Sequence, residues 1–362
     1  MKKNIGLYLF YAVVIFVFFG LLMIYSSSYV WAEYKFSDSL RYVKLQGLFI
    51  IIGIIMMIIV GKIDYKIYYK YATHIFIFCL VLLVLVLIPG IGKIRNGSRS
   101  WFGIGPLGVQ PSEFMKLSLI ILVSKYLSNS DKKIKSFLKG ILPILLVLGV
   151  VFLLIMLQPD FGTSMIIILS ILALLFIAGA NMKFFFVAGL VGVVGVIGLI
   201  LIAPYRMDRI ISFINPWSDP LGTGFQIIQS LYAIGPGGIF GLGLFNSRQK
   251  HFYLPEPQTD FIFSIISEEL GIVGILIVAS FFIFILYCGI KIALNSKNLF
   301  SKYLSFGMTF QILIQAVMNL MVVVGLIPVT GVTLPFLSYG GSSLLITLCS
   351  IGILLNISRN NN

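Results

Sequence analysis

Two carboxylates, Glu256 and Asp260, stand four residues apart where a long polar loop runs into a strongly apolar segment, Leu254-Pro255-Glu256-Pro257-Gln258-Thr259-Asp260-Phe261-Ile262-Phe263. A carboxylate at the rim of an apolar segment is costly to bury and well placed to take a proton. Glu268 and Glu269 follow two turns further on. Neighbouring carboxylates raise one another's pKa, which suits a general base, and they could equally share a divalent cation with phosphate oxygens. Asp260 is the strongest candidate, although a residue that starts a span is also a natural helix cap.

Three segments surround this pair with other polar groups. The first contains Gly97-Ser98-Arg99-Ser100-Trp101 and then Gln110-Pro111-Ser112-Glu113. Proline suits the first helical position, which puts Glu113 third and predicts a capping box with Gln110. Lys116 lies one turn further in, on Glu113's face. Snorkelling alone does not explain that depth, so a cap with an ion pair and an anion-binding role both remain open. The second segment is Gln158-Pro159-Asp160, where Asp160 is expected to cap the next helix. The third, from about 204 to 260, carries Arg206, Arg209, Arg248 and Lys250, cations suited to a phosphate-bearing headgroup or to anionic lipid in general. It holds apolar pieces at 225–232 and 239–245, broken by Gly235-Pro236-Gly237-Gly238, and is expected to lie on or dip into the outer leaflet. His251 sits in this loop, and His74 is expected to be buried on an inner half-span.

These groups hang on a membrane framework. Hydrophobic residues are 59% of the chain, charged residues 10%, and mean hydropathy is +1.06. Several apolar runs reach the roughly 20 residues that cross a bilayer. The expected fold is an all-α polytopic membrane protein of about ten transmembrane helices, near 5–25, 45–61, 72–91, 112–128, 138–157, 162–179, 183–203, 261–290, 303–325 and 335–356. It forms a single integral domain over 1–362, with a long outer loop between spans seven and eight. The first run is too long for a signal-peptide core and reads as a retained span. Cys79, Cys288 and Cys349 fall in apolar runs, with no metal or disulfide spacing.

Charge orients the framework. With the N-terminus inside, the inner loops collect most of the lysines, including Lys2, Lys3, Lys62, Lys66, Lys70, Lys132 and Lys133, while only Asp64 and Asp131 lie there among the acids. Both termini are therefore expected in the cytoplasm and the acid–base chemistry outside. The net charge of +14 follows from this bias, and without a soluble basic face it gives no support to nucleic-acid binding. The ninth span carries Gln311, Gln315 and Asn319 at i, i+4, i+8. Such a stripe seals a contact within the bundle, lines a lipid-entry groove or meets a partner's anchor.

Taken together, Ile24-Tyr25-Ser26-Ser27-Ser28, Gly97-Ser98-Arg99-Ser100-Trp101, Gln110-Pro111-Ser112-Glu113, Gln158-Pro159-Asp160-Phe161-Gly162, Tyr205-Arg206 through Asp219-Pro220, Leu254 through Phe261, and Pro328-Val329-Thr330-Gly331 through Ser343 resemble the SEDS family (shape, elongation, division and sporulation). The resemblance runs nearly end to end and is closer to the FtsW/SpoVE branch than to RodA. Asp208 departs from the family pattern, which is basic at that position in many members. The resemblance implies a peptidoglycan glycosyltransferase of the bacterial cytoplasmic membrane that polymerises lipid II, a disaccharide-pentapeptide on undecaprenyl pyrophosphate, with Asp260 as the essential aspartate. Arg99, Lys116, Arg206, Arg209, Arg248 and Lys250 would meet developing negative charge, with Glu113, Asp160 and Glu256 also at the substrate site. A divalent cation, Mg2+ or Mn2+, could assist at Asp260 and Glu256, and no organic cofactor is expected. The implied partners are a class B penicillin-binding protein transpeptidase and other divisome or elongasome membrane proteins. A lipid II flippase and a non-catalytic scaffold are the alternatives. A flippase needs charges along a continuous path, and a scaffold has no need of the Asp260 cluster.

Overall fold

The computed structural model describes residues 4–95, 97–104, 107–129, 134–202 and 204–360. Lys2, Lys3, Asp131, Lys132 and Lys133 lie outside the described residues. Ten helices match the ten expected spans: α1 (Ile5–Phe36), α2 (Arg41–Lys62), α3 (Tyr65–Leu85), α4 (Pro111–Asn129), α5 (Leu142–Met156), α6 (Phe161–Ile177), α7 (Met182–Ile202), α10 (Ile262–Leu294), α11 (Leu299–Val323) and α12 (Gly341–Asn360). The long loop adds two short ones, α8 (Pro204–Ile214) and α9 (Phe225–Ile234).

Among the described residues, seven helices are long and apolar enough to cross a membrane: α1, α2, α3, α5 with the π-helical turn Phe137–Ile141 before it, α10, α11 and α12. α4 is as long as these need to be but carries Glu113, Lys116 and Lys125. The chain is a multi-pass membrane protein. α11 sits between α4, α6 and α10, while α12 packs along α2.

Local chemistry sets the helix starts. The side chains of Asp64, Asp160 and Asn298 each accept a backbone N–H from the first turn of α3, α6 and α11. The tenth helix begins at Gly341, later than the expected 335, because Pro328, Pro335 and the left-handed Gly331 keep 324–340 irregular. The fold is helical as expected, with one small sheet added. Strands β1 (Lys93–Arg95), β2 (Ser98–Ile104) and β3 (Leu107–Val109) form an antiparallel sheet in the order β1-β2-β3. Gly97, with φ +78°, makes the first turn possible. His74, expected to be buried, is exposed on α3.

α10 is not one rod. At Gly271 the backbone takes φ 61°, ψ −149°, and the helical hydrogen-bond ladder breaks. In a membrane the freed groups need partners from the protein. The glycine-rich turn supplies them: Ile272 and Val273 donate to the carbonyls of Gly238 and Ile239, while Leu242 and Gly243 donate to those of Glu268 and Glu269. The long loop is stitched to the break by main chain. Gly271→Ala should lower stability by about 1–3 kcal/mol, since that backbone region is essentially restricted to glycine and a Cβ would stand 2.7 Å from the Gly237 carbonyl. Thermal unfolding in detergent measures the loss; an unchanged midpoint would contradict it.

Candidate active site

Pro111 does open α4, which puts Glu113 in its third position and Lys116 one turn on. Both charged side chains are buried. The Lys116 ammonium forms an ion pair with Glu113 Oε2 at 2.8 Å and donates to Gln315 Oε1 at 2.8 Å. The expected capping box does not form. Gln110 Nε2 donates instead to Asp160 Oδ2 at 2.8 Å, a charged acceptor, and Glu113 is held by Lys116. Asp160 caps α6 as expected, with Oδ1 accepting from Thr163 N at 3.0 Å, and so ties the starts of α4 and α6 together.

The polar stripe of α11 faces inward. Gln311, Gln315 and Asn319 are all buried. Gln315 Nε2 donates to the Thr333 carbonyl at 3.0 Å. Asn319 Nδ2 donates to the carbonyls of Asp260 and Val332, each at 2.7 Å. The stripe therefore seals the bundle, and it sets Lys116 and Asp260 one helical turn apart along one face. Sequence reasoning found the periodicity of these amides but not their role in placing Asp260.

Asp260 is not a cap. α10 starts at Ile262, and its N-cap residue, Phe261, makes no side-chain capping bond. The Asp260 carboxylate accepts from Thr259 Oγ1 at 3.0 Å. Burial pushes its pKa up to about 6, with the charge of Glu256 adding to the rise, while the Thr259 bond and the Arg209 cation oppose it. Glu256 is exposed, in a left-handed backbone conformation with φ 43°. Arg209 reaches across from α8 to donate to the Val329 carbonyl at 3.0 Å.

Glu268 and Glu269 have a different task. Glu269 accepts from Ser26 of α1 at 2.6 and 2.7 Å, from Ser247 N at 3.2 Å and from Lys250 Nζ at 2.9 Å. Glu268 accepts from Ser247 Oγ at 2.5 Å and from Arg248 N at 2.8 Å. They anchor the loop and α1 to α10. Lys250, expected among the phosphate-binding cations, is fully enclosed between Glu269 and the Tyr29 ring. A cation neutralised in that way has no charge left for a substrate. Arg248 keeps its side chain exposed while its backbone is fixed. Arg99 is half-buried on β2 opposite Ile94, and among the described residues no ion pair links it to Glu113. Arg206 and Asp208 belong to α8, but their side chains lie outside the described residues. Among the described residues no group of three or more His, Cys, Asp or Glu gathers.

A polytopic bundle with an interior Glu–Lys pair and a raised, uncapped carboxylate where a loop enters a helix is the class of membrane protein that fold and site define. The FtsW/RodA/SpoVE family, described as cell cycle proteins, matches residues 7–362, and the chain belongs to it. Stage V sporulation protein E of Bacillus subtilis (strain 168) is 52% identical over 340 residues, 94% of this chain and 93% of the relative. A probable peptidoglycan glycosyltransferase FtsW of Geobacter sp. (strain M18) is 41% identical, covering 95% and 94%. Among solved structures, a chain of a peptidoglycan synthase complex that coordinates polymerization and crosslinking aligns with TM-score 0.80 at 30% identity, over 98% of this chain and 97% of that one. The rod shape determining protein RodA of Thermus thermophilus aligns with TM-score 0.72 at 26% identity, over 98% and 96%.

The enclosed Lys250–Glu269 pair yields a stability prediction. Removing one partner of a buried pair leaves an uncompensated charge, at a cost of about 3–5 kcal/mol. Lys250→Met should be destabilised on that scale, and Lys250→Met with Glu269→Gln should recover much of the loss. A double variant no more stable than the single one would contradict the pairing.

Proposed function

We infer that this chain is a peptidoglycan glycosyltransferase, with Asp260 as the general base. The observation that carries this is a carboxylate released from capping, raised to about 6, and set between Glu256 and Arg209. A sugar 4-hydroxyl gives its proton to Asp260 as its oxygen bonds to the anomeric carbon of a second sugar. The bond from that carbon to the pyrophosphate oxygen breaks, and the pyrophosphate departs without a general acid. Lipid II is the substrate we propose. Arg209 and Arg248 are the exposed cations for its pyrophosphate, with Arg99 and Arg206 as further candidates. Glu113, Lys116 and Asp160 shape the adjoining wall, and Lys250 positions the loop.

Asp260 and Glu256 offer two carboxylates, a donor set that fits a divalent cation shared with substrate phosphates. Such an ion would stabilise charge on the leaving group. We place both termini in the cytoplasm and Asp260 outside, from the lysine bias of the loops. The similarity to a chain in a peptidoglycan synthase complex supports a synthase partner, and a class B penicillin-binding protein is the kind we propose.

Asp260→Asn keeps the size of the side chain and removes its basicity. Polymerisation of lipid II by the purified variant should fall at least about a hundredfold, with the protein still folded and inserted; near-normal polymer would remove the assignment. The base works as the carboxylate, so kcat/KM should rise as pH climbs through about 6 and then level off. Glu256→Gln deletes a charge that raises the Asp260 pKa, so the acidic limb should move to lower pH. A limb that stays in place, or moves the other way, contradicts the coupling.

A further inference from the structure

α1 has 32 residues, about 48 Å at 1.5 Å per residue. That exceeds the roughly 30 Å of hydrocarbon it has to cross. Its last turns carry Trp31 and Tyr34 and meet Phe252 of the long loop. Phe252 lies edge-to-face with Trp31 at 5.5 Å and with Tyr34 at 5.2 Å. Phe36, the last residue of α1, is edge-to-face with Tyr42 at 6.1 Å, and Tyr42 with Tyr339 at 5.0 Å. Tyr339 N donates to the Gln258 carbonyl at 2.8 Å, two residues before Asp260. Two groups of rings at the end of α1, bridged by Lys35 over Trp31 and Phe36, thus lead through Tyr42 and Tyr339 to the loop of the proposed base.

Two features set these rings apart from ordinary aromatic residues at a bilayer surface. Phe252 has φ 68°, a conformation rarely taken by a bulky side chain, and 49% of it is exposed. Phe336 has the same φ but is buried, whereas at Phe252 the strained residue carries its ring into the open, and strain of this kind concentrates at functional sites. Tyr34 is 76% exposed, so both rings present open surface. A bilayer-surface belt requires neither strain nor continuity with a reactive carboxylate.

We propose that Tyr34 and Phe252, buttressed by Trp31, form a binding ledge for the sugar rings of a glycan strand. The proposal rests on the glycosyltransferase reading and extends it from the reacting sugars to the polymer. A pyranose offers a flat C–H face to an aromatic ring, while its hydroxyls turn to polar neighbours. Here those are the Tyr34 hydroxyl and the Lys35 ammonium, which lies 5.6 Å from the Trp31 ring centre. A strand held on the ledge stays beside Asp260 between additions, so its length depends on the ledge.

The test uses the purified full chain and two readouts. The binding probe is a set of short lipid-free oligosaccharides of N-acetylglucosamine and N-acetylmuramic acid. The second readout is the length distribution of glycan made from lipid II. Tyr34→Leu keeps an apolar side chain and removes the ring. Phe252→Asn removes the ring and tolerates the left-handed backbone, so it should fold at least as well as the parent. Each should weaken oligosaccharide binding about tenfold and shorten the strands, while Tyr34→Phe, which keeps the ring and loses only the hydroxyl contact, should bind more tightly and make longer strands than Tyr34→Leu. Unchanged binding and strand length in the two variants would overturn the ledge. So would altered partition into vesicles, or altered capture of a partner protein, with oligosaccharide binding intact. A parent protein that makes no glycan from lipid II would count against the glycosyltransferase reading, and the binding readout would still decide the ledge.

Discussion

A single side-chain amide holds the site together. Asn319 spends both of its N–H groups on main-chain carbonyls, one just before α10 and one in the irregular segment before α12. Inside a membrane bundle neither donor nor acceptor has water to fall back on, so each bond is worth more than its surface equivalent. One turn away Gln315 accepts from the Lys116 ammonium through Oε1 and donates through Nε2 to the Thr333 carbonyl. α11 therefore acts as a ruler. The separation between the interior ion pair and Asp260 is fixed by the rise of one helix and does not depend on the flexible chain that links them.

The distribution of bound and unbound acids sets Asp260, the proposed base, apart from the rest. Glu113 has its lysine, Glu269 has its lysine and serine, and Asp160 and Glu268 each hold backbone amides. Every one of these is committed to structure. Asp260 differs from them: its side chain is held by the adjacent Thr259 hydroxyl, and Glu256 repels its charge. Its basicity comes from withheld partners as much as from anything supplied to it.

The sequence made local relations readable and left distant ones hidden. Lys116 three residues after Glu113 predicts a shared helical face, and the pair forms. Aspartate before an apolar run predicts the Asp160 cap. The ten apolar runs fix the helices because hydrocarbon thickness leaves little choice of length. Gln110 bonding to Asp160 joins positions fifty residues apart, and nothing nearby in the chain announces it. Lys250 looked like a surface cation because its partner lies nineteen residues on, across the bend of the loop. The interruption at Gly271 is silent for a related reason: the flanking residues are apolar and helix-forming, and the groups that compensate the break come from the turn at 237–243. The strands escaped notice because β1 and β3 have three residues each, too few for alternation to register, while β2, with seven, sets Trp101 and Phe102 side by side and so breaks the alternation.

The stitching at Gly271 also bears on how such proteins can be inherited and recombined. The main chain of 237–243 completes the hydrogen bonding of α10 on both sides of the break, and the side chains of Glu268 and Glu269 hold 247–250. Loop and helix segment are two halves of one unit, although some twenty residues separate them. Drift in the glycine-rich turn is constrained by the backbone of its counterpart more than by any side chain there. A hybrid between two members of the family would have to transfer 237–250 together with 268–273, and the natural crossover points lie outside that pair.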